Sequence, residues 1–210
     1  MRPPTTTRLI AAGALSLALG GVAAVPPASA EPGDDAGIDV TVTIEEPDTP
    51  GRLSMTVAAN DGVTLTENGS DAAARQFTGV TPTVTITDTR RPGDLPAGSF
   101  WAVVGQASPF VPTGGGAGFG PEYLGWGPRL LSGSTTGAVA AGEPVSSVIS
   151  DGTGAPAVGL SGQEMLVSTA NAADETGSWQ VAADLKLRTP VDVPAGQYHS
   201  TLTLSLFDQS

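Results

Sequence analysis

The stretch Trp179-Gln180-Val181-Ala182-Ala183-Asp184-Leu185-Lys186-Leu187-Arg188 decides the fold class. Trp179, Val181, Ala183, Leu185 and Leu187 fall on one parity, while Gln180, Asp184, Lys186 and Arg188 fall on the other. Because successive side chains of a strand point to opposite faces, this period of two predicts a strand with one buried and one wet face. The same pattern recurs in Ile38-Asp39-Val40-Thr41-Val42-Thr43-Ile44. It recurs again in Leu53, Met55, Val57 and Ala59, and in Val80, Val84 and Ile86 alternating with Thr81, Thr83, Thr85 and Thr87. In the last run, Leu202, Leu204 and Leu206 alternate with Thr201, Thr203 and Ser205. Turn clusters such as Glu46-Pro47-Asp48-Thr49-Pro50-Gly51, Arg91-Pro92-Gly93-Asp94 and residues 190–196 separate these runs. No apolar stripe of helical period follows the first 30 residues. The fold expected is all-β, an antiparallel β-sandwich of immunoglobulin-like or related topology with Gly/Pro-rich loops.

Composition excludes more than it assigns. The chain has 210 residues with 28 Gly, 18 Pro, no Cys, one His and a formal net charge of -12. Without Cys there is no disulfide framework, thiolate metal site or cysteine nucleophile. Nucleic acid and anionic membrane surfaces both require clustered Lys and Arg. Here Lys186 is the single lysine beside eight arginines.

Arg2 and Arg8 precede an apolar run from Leu9 to Val25, which is followed by Pro26-Pro27 and Ala28-Ser29-Ala30. That order of basic, hydrophobic and small-x-small segments predicts a secretory signal peptide over residues 1–30, cleaved after Ala30. An acidic leader over 31–36 and a single domain over 37–210 are expected to follow. Cleavage would leave seven bases against 21 acids, a charge of -14. Without a second apolar segment, a lipidation cysteine or a hydrophobic tail, attachment to the cell would be non-covalent. The internal Leu95-Pro96-Ala97-Gly98 lacks the tail that covalent sorting to a wall requires.

Signals for chemistry are sparse. His199 is expected on the wet face of its strand, without the buried acid or activated serine of a triad, and no G-x-S-x-G elbow surrounds any Ser. Gly114-Gly115-Gly116-Ala117-Gly118-Phe119-Gly120 fits neither a dinucleotide nor a P-loop pattern and reads as a surface loop. The 21 carboxylates cluster in turns and read as solvated charge, with a glycan-hydrolase pair as the rival. No EF-hand loop is present. Neither a metal nor a cofactor is assigned, and the chain reads as a non-enzyme. Asn68-Gly69-Ser70 matches a glycosylation sequon in form alone.

Aromatic residues carry the strongest site signal. Phe100, Trp101, Phe110, Phe119, Tyr123 and Trp126 are six of the ten in the chain, within 27 residues. Phe100 and Trp101, as neighbours on a strand, must face opposite ways. The rings either fill the core at one end of the sandwich or present a surface for sugar faces or a partner.

Several of these residues carry a family resemblance. Val84-Thr85-Ile86-Thr87-Asp88-Thr89-Arg90, Trp101-Ala102-Val103, Phe110, Leu124-Gly125-Trp126-Gly127-Pro128 and the run from Tyr198 to Leu206 resemble the WxL domain of Gram-positive surface proteins, in its secreted single-domain actinobacterial form. Residues 50–57 are similar to its opening strands, so the likeness spans most of 37–206. The resemblance implies a β-rich extracellular domain that binds peptidoglycan non-covalently, sometimes beside membrane-anchored partner proteins. Two positions depart from the family pattern: Val103 makes the first motif Trp-x-Val, and Leu204 stands where the second motif has Trp. The candidate contact residues are Trp101, Val103, Phe110, Tyr123, Trp126, Tyr198 and Leu204. The expected partner is peptidoglycan or another wall glycan. The alternative is docking on another exported or membrane-anchored protein through an exposed strand edge.

Overall fold

The computed structural model describes residues 51–58 and 62–209, which lie within one compact unit, Pro47–Ser210. The expected signal peptide, the leader, the strand over residues 38–44 and Ala59 lie outside the described residues. Among the described residues no helix is long and apolar enough to cross a membrane.

The chain is all-β. Among the described residues twelve strands follow in order: β1 (Leu53–Val57), β2 (Thr66–Glu67), β3 (Ala74–Val80), β4 (Val84–Asp88), β5 (Phe100–Ala107), β6 (Val111–Pro112), β7 (Leu124–Leu130), β8 (Val139–Ala141), β9 (Glu164–Thr169), β10 (Gly177–Pro190), β11 (Tyr198–His199) and β12 (Leu202–Gln209). One sheet has the order β1-β4-β10-β3-β2, with β7 also paired to β10. A second has the order β12-β5-β9-β8, and β11 pairs with β6 in a two-stranded ribbon. Every strand pair is antiparallel.

β10 organises the larger sheet. It runs for 14 residues and is the strand read from Trp179 to Arg188. Its first half pairs with β4 and its second half with β3, while its middle pairs with β7. Trp179, Val181, Ala183, Leu185 and Leu187 all enter the core, as their parity predicts; Arg188, expected on the wet face, is buried instead, because its guanidinium donates to Gln76 and Asp71.

At Val80 the outcome differs from the alternation. Val80 lies opposite Asp184 and Val84 opposite Val181, so Thr81, Pro82 and Thr83 face only Ala182 and Ala183. This is a β-bulge, and one extra residue reverses which parity points inward. Val84 and Ile86 are therefore buried while Val80 is 47 % exposed. The bulge is well satisfied: the Thr81 backbone N–H donates to Ala183 O at 2.9 Å, and Ala183 N–H donates to Thr81 Oγ1 at 2.8 Å. Pro82 has no N–H to leave unpaired. In β1, Leu53 and Met55 pack against the core, whereas Val57 at the strand end is exposed.

A second bulge lies in β9. Val103 faces Val167 and Val104 faces Met165, leaving Leu166 as the extra residue. Both Leu166 and Val167 are consequently buried.

Among the contacts that join the two sheets, three stand out. The Trp101 ring on β5 lies 5.5 Å from that of Trp179 on β10. The Trp126 indole on β7 covers Gly105 on β5, where an added Cβ would sit 2.5 Å from Cη2 of that ring. Arg90, just beyond β4, donates from Nε and Nη2 to the fully buried carboxylate of Asp88, at 2.9 and 2.7 Å. Its Nη1 donates to both oxygens of Asp208 on β12 at 2.8 Å.

The Gly105 contact yields the first prediction. Gly105→Ala needs no unusual backbone angle, so its cost is steric: an ordered indole must shift. Overpacking of this kind costs about 1–3 kcal/mol. Urea unfolding should show that loss for Gly105→Ala and a larger one for Gly105→Val, while unchanged stability of both variants would contradict the packing described.

Candidate functional site

Phe110 and Phe119 close the glycine-rich loop. Their backbones form an isolated antiparallel bridge, with Phe110 N–H to Phe119 O at 2.8 Å and the reverse bond at 3.1 Å. Gly118 permits this approach, because a Cβ there would strike the Phe110 carbonyl oxygen. Gly115 and Gly116 take positive φ at the tip, a region that side chains disfavour. The two rings stack at 4.9 Å and 14°.

Phe119 is the centre of a larger cluster. Tyr123 meets it edge-on at 5.9 Å and Tyr198 lies tilted at 5.1 Å. Tyr123 comes from a single 3₁₀ turn, Pro121–Tyr123, that leads into β7. Tyr198 comes from β11, held beside the loop by pairing with Pro112 and by Thr113 N–H to Gln197 O at 2.9 Å. Its hydroxyl donates to Pro194 O at 2.9 Å, fixing the ring. Phe110 is buried, but Phe119, Tyr123 and Tyr198 remain partly open to solvent. His199, Val111, Thr113 and Gln197 beside them are exposed, His199 as its strand parity predicts.

The seven candidate contact residues therefore divide. Tyr123 and Tyr198 belong to the open cluster. Trp101, Val103, Phe110 and Trp126 are interior, with exposures from 0 to 6 %, and offer no surface to a ligand. The reason lies in their positions: Trp101 and Val103 share the inward parity of β5, and Trp126 is directed onto that strand. Both indole N–H groups are buried without a hydrogen-bond partner, a cost of about 1–3 kcal/mol each that the volume of the rings offsets. Leu204 is half-buried, faces Gly105 in the β12–β5 register and packs beside Trp126 over it. Phe100 points outward from Trp101, as neighbours on a strand must. Phe119, the hub, is absent from the seven. In the sequence it counts among the six clustered aromatics, but it lies in a glycine run that reads as a surface loop.

The carboxylates serve structure. Arg75 beside Glu67 holds that carboxyl down at about 2, with Ser70 adding a second bond. Asp71 is lowered by the backbone N–H of Ala73 and then by Arg188. Lys186 and Thr153 hold Asp151 well below the usual range. Glu175 is lowered by hydroxyl and backbone donors of Ser134, Thr136 and Thr135, and so ties the loop after β7 to the start of β10. Among the described residues, no group of three or more acids and His is placed to hold a metal ion.

The fold and the ring cluster define an all-β protein with an aromatic end. No family model, curated protein or solved structure matches the chain.

The carboxylates generate the second prediction. Each has a folded pKa below its unfolded value, so the stability it contributes is complete above the unfolded value and is lost as pH falls toward the folded one. For Glu67 that window runs from 4.5 down to about 2. Thermal unfolding should give a level midpoint from about pH 7 to about pH 5 and a falling one below. A decline that begins near neutrality would contradict it.

Proposed function

We propose that this chain is an exported, non-enzymatic surface protein that attaches non-covalently to peptidoglycan. The WxL resemblance supplies the expectation, and the signal-like segment over residues 1–30 fits it. The observation that carries the reading is the open ring cluster of Phe119, Tyr123 and Tyr198. Rings held by one another and by the Tyr198 hydroxyl present rigid apolar faces at low entropic cost, which suits stacking on the C–H face of a sugar. Four of the carboxylates are ill suited to general-acid catalysis. A glycan hydrolase needs a carboxyl held protonated near neutral pH, whereas Glu67, Asp71, Asp151 and Glu175 are all shifted the other way.

One observation favours a second reading. The outer face of the four-stranded sheet exposes Phe100, Met165 and Phe207, which would suit a protein partner. Pull-down from envelope extract freed of glycan separates the two, since a protein partner would still be recovered.

Co-sedimentation with isolated sacculi tests the leading reading. The wild-type chain should pellet with the wall, and Phe119→Ala and Tyr123→Ala should weaken binding by about tenfold or more, as removal of a hot-spot ring does. Wild-type protein that stays in the supernatant would contradict the proposal.

A further inference from the structure

We infer that the ring cluster takes uncharged sugar residues and leaves the anionic polymers of a wall unengaged. This rests on the wall-binding reading and narrows it to a ligand class. The charge around the cluster carries it. Residues 108–123 and 191–201, which build this end, contain no Lys or Arg. Their only ionisable side chains apart from tyrosine are Glu122, Asp192 and His199. Arg75, Arg90, Arg129, Lys186 and Arg188 each already hold a carboxylate.

Recognition of phosphate or carboxylate polymers relies on Arg or Lys, or on a nest of free backbone N–H groups. In the glycine loop, Gly115 N–H is committed to Pro112 O at 3.2 Å, and the other loop N–H groups have no Arg or Lys beside them in residues 108–123 and 191–201. A polyanion approaching this end would meet two acids on a chain of formal charge -12, with no cation there to offset the repulsion. What the end does offer is three partly open rings and the exposed polar side chains of Thr113 and Gln197. Neutral rings flanked by neutral donors and acceptors match the alternating C–H faces and hydroxyl edges of an uncharged glycan. Screening then acts only on background repulsion, so added salt leaves binding unchanged or strengthens it.

The test uses the purified full chain and four solids: intact sacculi, sacculi stripped of phosphate polymers with hydrofluoric acid, chitin, and beads carrying poly(glycerol phosphate). The chain should be retained on both kinds of sacculi and on chitin, undiminished by salt, and should pass over the phosphate beads. Tyr123→Ala, checked for a native circular dichroism spectrum, should lose about tenfold in affinity on chitin and on stripped sacculi alike. Capture by the phosphate beads, or loss of binding when sacculi are stripped, overturns the inference while leaving wall attachment intact. Retention on chitin but on no sacculi upholds the sugar class and overturns wall attachment. Failure on all four solids overturns both.

Discussion

The indole of Trp126 lies across Gly105, and through that contact the two sheets acquire their spacing. Gly105 sits on the inward parity of β5, where any side chain would occupy the space that the ring fills. Leu204, from the next strand of the same sheet, closes over the same glycine. On the other side of the core, Trp101 meets Trp179, so all three tryptophans of the chain lie where the sheets face each other. Without cysteine, the fold depends on this interdigitation and on the Arg90 clamp between Asp88 and Asp208. Truncating Arg90 would leave Asp88 as an unpaired buried charge, which is more costly than losing a surface pair.

That arrangement gives the motif residues a physical role. In Leu124-Gly125-Trp126-Gly127-Pro128, Gly125 has no room for a Cβ beside the carbonyl of Val145, and Trp126 reaches across the core. In Trp101-Ala102-Val103, both outer residues are buried. At position 204 a half-buried leucine fills a packing site beside Trp126 over Gly105. The part of the molecule suited to recognition lies at the end, where the closed glycine loop, the Pro121–Tyr123 turn and β11 converge on Phe119.

The sequence shows some of this plainly. β10 is legible because both of its edges are paired and its apolar parity packs inward from Trp179 to Leu187, although Ala182 and Arg188 on the other parity are buried as well. Phe100 and Trp101 separate for the same reason. The bulge at Thr81, Pro82 and Thr83 is not legible, because it arises from the mismatch between two strands 100 residues apart in the chain. Parity alone placed Val80 with Val84, and the extra residue turns it out. The open cluster was half visible: Phe119 and Tyr123 counted among the clustered aromatics and Tyr198 among the candidate contacts, but Phe119 sits among glycines, where neither propensity nor periodicity marks it as the centre. Its importance comes from the Phe110 bridge, a contact across the loop that local pattern does not encode.

The tryptophans build the core, and the rings around Phe119 form the proposed binding surface. Tryptophan emission with acrylamide quenching tests this division most directly, since all three indoles report at once. The account predicts blue-shifted emission, weakly quenched, and unchanged when the protein is saturated with stripped sacculi or chitin. Emission that is red-shifted and readily quenched in the free protein, and then protected on adding glycan, would place a tryptophan in the binding surface and contradict it.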